Sequence, residues 1–69
     1  MKLKVYLKNI KTEKDLTIVN KKDELLVKLS NEKIEKNKEL VLAFYGNFEI
    51  IKKQYLYNKI IVTLDTIQY

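Results

Sequence analysis

Residues 39–53 read Glu-Leu-Val-Leu-Ala-Phe-Tyr-Gly-Asn-Phe-Glu-Ile-Ile-Lys-Lys, and Gly46 at their centre is the only glycine among 69 residues. Two apolar, aromatic-rich runs meet at Gly46-Asn47. In that setting a glycine followed by asparagine predicts a two-residue hairpin turn with φ > 0. Pairing across it sets Phe44 opposite Glu49 and Leu42 opposite Ile51 on one face, with Tyr45 opposite Phe48 and Ala43 opposite Ile50 on the other. Both faces are substantially apolar, so such a hairpin would lie inside a small barrel or sandwich, or under another chain.

Beyond it, Gln54 to Tyr57 leads to a weaker turn at Asn58-Lys59, and Ile60 to Asp65 reads as a strand with Ile60, Val62 and Leu64 inward. Thr66 to Tyr69 places its apolar groups on the opposite parity. Before it, Ser30 to Lys38 is charged, with Ile34 as its single apolar residue. Nine residues are too many for a tight turn, which predicts a short helix near residues 31–37 with Ser30 as a candidate cap.

Residues 2–9 alternate with period two, Leu3, Val5 and Leu7 against Lys2, Lys4, Tyr6 and Lys8, which predicts a strand with one buried face. After the polar residues 10–14, Asp15 to Asn20 resumes that phase with Leu16 and Ile18. The joint Asn20-Lys21-Lys22-Asp23 has two readings. As a hairpin loop it makes Glu24 to Ser30 a third strand, with Ile18 opposite Leu25 and Leu16 opposite Val27. As a helix start it uses Asn20 as N-cap, an i,i+4 pair Glu24/Lys28, and an apolar stripe Leu25, Leu26 and Leu29. The strand is preferred, because Val27 joins the core set only under period two.

The expected fold is one mainly-β domain over residues 1–69, an up-and-down antiparallel barrel or sandwich of five to six strands. The alternative is α+β with a helix over residues 21–33. Its element order, and Leu42-Ala43-Phe44-Tyr45-Gly46 as third strand and turn, is similar to the ubiquitin-like β-grasp. No Gly-Gly ends the chain, so the resemblance does not imply conjugation.

Composition narrows the chemistry. The chain has no cysteine, histidine or arginine. Disulfides, thiolate or imidazole metal ligands and the usual neutral-pH bases are therefore missing, and no spaced Asp/Asn/Glu loop suggests an oxygen-ligated metal. No enzymatic activity, cofactor or metal is expected. No apolar run approaches a membrane span, and the alternating Met1-Lys2-Leu3-Lys4 is unlike a signal peptide, which points to the cytoplasm. The lysine-rich, arginine-free composition suits a phage or mobile-element protein.

Two binding readings remain. The first is a module acting through protein contacts, as a homo-oligomer or as an inhibitor or adaptor of a larger protein. Its candidates are the second apolar face: Tyr45, Phe48, Ile50, Ile61, Ile67 and Tyr69, with Val19 and Leu26 beside them. The alternative is non-specific nucleic-acid binding, since the formal charge is +5 and residues 1–14 alone carry net +4. There the candidates are Lys2, Lys4, Tyr6 and Lys8 with Lys52, Lys53, Tyr55, Tyr57 and Lys59, a lysine-tyrosine mixture suited to phosphates and stacked bases.

Overall fold

A computed structural model describes residues 1–10 and 13–66. Its elements are α1 (Leu3–Asn9), β1 (Asp15–Val19), β2 (Leu25–Leu29), α2 (Ile34–Tyr45), β3 (Ile50–Tyr55) and β4 (Lys59–Leu64), with a single 3-10 turn, Asn31–Lys33, leading into α2. The strands form one open mixed sheet in the order β2-β1-β4-β3, so the expected barrel of five to six strands is replaced by a four-stranded α+β sheet. The hairpins β1–β2 and β3–β4 are antiparallel, and the central pair β1–β4 is parallel.

Register rows define the two faces. Leu29–Leu16–Ile60–Tyr55 and Val27–Ile18–Val62–Lys53 run across one face. Their buried members form a single core with Leu3 and Leu7 of α1 and Ile34 and Val41 of α2, which places both helices on that face. The opposite face carries the row Lys28–Thr17–Ile61–Gln54.

The strand expected over residues 2–9 is α1. Leu3 and Leu7, both fully buried, satisfy a period of two and an i,i+4 helical spacing equally well; Val5, 46% exposed, separates the two. A seven-residue helix does not hold itself in water. Its first free amides are met instead by the chain just past α2: Leu3 N–H donates to the Phe48 carbonyl and Lys4 N–H to that of Gly46, each at 3.0 Å. At the other end, Asn9 Nδ2 donates to the Val5 carbonyl at 3.0 Å, and Lys8 lies in the last turn, where a cation suits the helix dipole.

The hairpin expected at Gly46-Asn47 is instead the end of α2. The short helix foreseen near 31–37 starts at the 3-10 turn and continues to Tyr45, through the run read as the first arm of the hairpin. Ile34 and Val41, seven residues apart, are its buried anchors, a helical spacing that the continuous apolar run 40–45 conceals. Gly46 has φ −58°, in the right-handed region, so no positive φ explains it. Close approach does: its N–H reaches the Leu42 carbonyl at 2.9 Å, and a Cβ would stand 2.5 Å from that oxygen.

The Asn20 joint is a hairpin loop, and residues Leu25–Leu29 are a strand, which removes the helix over 21–33 and with it the β-grasp order. An irregularity after Ile18 shifts the register, setting Leu16 opposite Leu29 and Ile18 opposite Val27 rather than the expected pairs. Asn20 organises the turn from within. It is 2% exposed, its Oδ1 accepts from the N–H groups of Lys22 and Glu24, and its Nδ2 donates to Glu24 Oε1. Asp23 follows at φ 61°, where a residue with Cβ is strained. The last expected strand is found as β4, with Ile60, Val62 and Leu64 buried.

Two stability comparisons follow from these placements, each readable by chemical denaturation. Leu7→Ala should cost about 2–5 kcal/mol, the usual range for a buried leucine, whereas Val5→Ala should cost less than about 0.5 kcal/mol, as at an ordinary surface site. Equal losses would restore the strand. Asn20→Ala should cost about 1–3 kcal/mol by removing the buried acceptor that holds the Lys22 and Glu24 N–H groups in the turn, while Asp23→Gly should stabilise by up to about 1 kcal/mol through relief at positive φ.

Candidate functional site

The helix-face rows end on β3 at Lys53 and Tyr55, and α1 lies directly against them. The Tyr6 and Tyr55 hydroxyl oxygens are 3.4 Å apart, and Lys53 Nζ stands 5.2 Å from the centre of the Tyr6 ring, within cation–π range. The N-terminal residues fasten this arrangement. Lys2 bridges to Glu49, Ile50 N–H donates to the Met1 carbonyl at 2.8 Å, and the terminal amine meets Glu49 Oε2 at 3.0 Å. Segments from opposite ends of the chain thus share one flank.

The flank is basic. No acidic residue occurs in α1, β3 or β4, which together carry Lys4, Lys8, Lys52, Lys53 and Lys59, with Lys2 adjoining. Lys2, Lys4, Lys8, Lys52 and Lys53 are exposed and Lys59 is half-buried beside Asp15. Of the acids that adjoin these strands in sequence, Glu49 is held by the terminal amine, and Asp65 lies 2.6 Å from Lys21 Nζ. The β3–β4 tip adds apolar area: Tyr55 is 59%, Leu56 41% and Tyr57 98% exposed. Ile51 on β3 is also open.

Of the residues proposed for nucleic acid, Tyr6, Lys53 and Tyr55 are therefore brought together, with Lys2 at the β3 edge. Lys52 takes the opposite sheet face from Lys53. Lys4 and Lys8 open towards a cleft of about 500 Å³ between the helices, shared with Val5, Lys38 and Leu42.

The residues proposed for a protein partner are dispersed. Tyr45, on α2, contacts Phe48 with ring centres 6.3 Å apart, and both are partly buried against the core, as is Ile50 at the start of β3. Ile61 lies half-buried on the opposite sheet face, Val19 is buried and Leu26 half-buried. Ile67 and Tyr69 fall outside the described residues.

An apolar groove that the strand reading could not foresee lies between α2 and β2. It has a volume of about 340 Å³ and is lined by Val27, Leu29, Asn37, Leu40, Val41, Phe44 and Tyr45. The i,i+4 pair Leu40/Phe44 was its visible signal. Among the described residues no cluster of three or more potential metal-ligating side chains occurs, and no helix is long and apolar enough to cross a membrane.

No protein-family model matches this chain, and no curated protein or solved structure shows significant similarity to it.

Burial, then the hydrogen bond and charge of Tyr55, push the Tyr6 phenol above the ordinary tyrosine value. The folded state thus favours the neutral phenol. Its contribution to stability is complete below the unfolded value of about 10 and is lost as pH rises through the ionisation of folded Tyr6. In an ultraviolet titration of the five tyrosines, Tyr6→Phe should remove the last to ionise, and Tyr55→Phe should bring that transition to lower pH.

Proposed function

We propose that this protein is a non-catalytic binding module that engages single-stranded nucleic acid through the α1–β3 flank. The observation supporting this reading is a juxtaposition: Tyr6 and Tyr55, separated by 49 positions, meet on a surface whose three elements carry lysines and no acid. Lysines along the flank contact phosphates as mobile point charges. The exposed rings of Tyr55 and Tyr57 offer faces on which bases stack, each stacked base contributing about 1–3 kcal/mol.

Binding of this kind tolerates any sequence. Lysine lacks the planar fork with which arginine reads guanine edges, and stacking needs only the π-face that every base has. The reading places the protein in the cytoplasm, where nucleic acid is the abundant polyanion. A second reading, association with a protein, is favoured by a separate surface, the groove between α2 and β2.

Anisotropy of a labelled oligothymidylate tests the first reading. With about four phosphate contacts, affinity should fall roughly 50-fold between 50 and 200 mM salt. The double change Lys52→Glu, Lys53→Glu should weaken binding by about tenfold or more at fixed salt, and Tyr57→Ala should weaken it by a factor of about five or more. An affinity insensitive to salt, or unaltered by the triple change Lys2→Glu, Lys4→Glu, Lys8→Glu together with the double one, would overturn the proposal.

A further inference from the structure

Helices α1 and α2 leave a cleft of about 500 Å³ between them, in the size range of small-molecule sites. Its described lining consists of three lysines, Lys4, Lys8 and Lys38, and two aliphatic residues, Val5 and Leu42, with no acid. The groove on the other side of α2 has no charged residue in its lining. The two cavities that flank α2 thus differ in charge.

The lysines of the cleft are only partly compensated. Lys4 and Lys8 are exposed, and neither is in an ion pair among the described residues. Four positions apart, they are neighbours on one side of a helix that contains no acid, so their like charges repel without relief from within α1. Lys38 reaches the same space from α2; its side chain is 18% exposed and its amine meets Glu35 Oε1 at 2.9 Å. Glu35 is therefore committed to Lys38. Glu39, the other acid of α2, is exposed and stands outside the lining. With both carboxylates of α2 set against the three lysines, the cleft keeps a net charge of +1.

The floor selects the rest of the ligand. Val5 is 46% exposed on a helix whose Leu3 and Leu7 are fully buried, and Leu42 is half-buried against the core. Lysine stems are themselves apolar, so each lining lysine offers hydrocarbon as well as an amine. An inorganic anion meets the amines but leaves the aliphatic floor in water, whereas a neutral hydrocarbon covers the floor and leaves the amines uncompensated. A molecule with an anionic head on an apolar body satisfies both. A second copy of this chain, of charge +5, would bring lysines towards lysines.

We propose that the α1–α2 cleft binds a small amphiphilic anion of the fatty-carboxylate kind. Its head lies between Lys4 and Lys8, with Lys38 shared between the ligand and Glu35, and its hydrocarbon covers Val5 and Leu42. Tyr6, two residues from each of Lys4 and Lys8, takes the other side of α1. The site is thus separate from the contact of Tyr6 with Lys53 and Tyr55 and goes beyond the nucleic-acid reading.

Octanoate titrated into the ¹⁵N-labelled full chain is the test. Saturable movement of the amide signals of residues 4–8, 38 and 42 is expected, half complete at about 1 mM or below. Acetate, the head alone, and 1-octanol, the body alone, should each bind about tenfold more weakly. Lys4→Gln with Lys8→Gln, at exposed positions and checked for folding by circular dichroism, should weaken octanoate by about tenfold. Glu35→Gln should release Lys38 and tighten binding about threefold. Lys52→Glu with Lys53→Glu should leave octanoate binding unchanged, so the site stands even if the nucleic-acid reading fails. No movement of the cleft signals at about 10 mM octanoate, equal binding of 1-octanol, or an affinity unaltered by the lysine double change or by Glu35→Gln would each overturn it. Co-sedimentation with phosphatidylglycerol vesicles, with free octanoate leaving the cleft signals in place, would assign these lysines to a lipid surface and overturn it as well.

Discussion

The parallel pairing of β1 with β4 is the constraint on which the rest of the molecule depends. Leu16, Ile18, Ile60 and Val62 lie side by side in its two central rows, all nearly or fully inaccessible. Because each central strand brings its hairpin partner with it, β2 and β3 become the outer strands, running in the same direction at opposite edges. The chain between them must then cross three inter-strand gaps, about 14 Å. No tight turn spans that distance, whereas the twelve residues of α2 extend about 18 Å. The helix is thus required by the sheet order.

Once α2 crosses the sheet, its end determines where α1 can lie. The Gly46 and Phe48 carbonyls point at the first amides of α1, and Leu3 and Leu7 drop into the core beside Leu64. A glycine is needed there because the turn passes too close to the Leu42 carbonyl for any side chain. One consequence is functional. Lys2 is brought to the β3 edge and Tyr6 against Lys53 and Tyr55, so part of the charge excess visible at one end of the sequence joins a basic, aromatic flank.

The two edges of the sheet are treated differently. The β3 edge is partly occupied by residues 1–3 and carries lysines, a pattern that discourages pairing with other chains. The β2 edge has no such cover among the described residues and borders an apolar groove. One small fold therefore carries two chemically distinct surfaces: a basic, aromatic flank and an apolar groove beside a sheet edge.

The sequence by itself determined whatever depended on neighbours in the chain: the Asn20 hairpin, the inward set of β4 and the helical start after Ser30. It could not decide between strand and helix where the apolar spacing satisfied both. Leu3 and Leu7 fit either period, and the unbroken run from Leu40 to Tyr45 hides the helical spacing of Ile34 and Val41. Tertiary structure settled both through burial. The parallel β1–β4 pair leaves one sheet face to be covered, and only helices presenting Leu3, Leu7, Ile34 and Val41 cover it while satisfying their own backbone. The groove beside β2 belongs to the same decision, since Leu40 and Phe44 stand against Val27 and Leu29 only once this run is the helix α2.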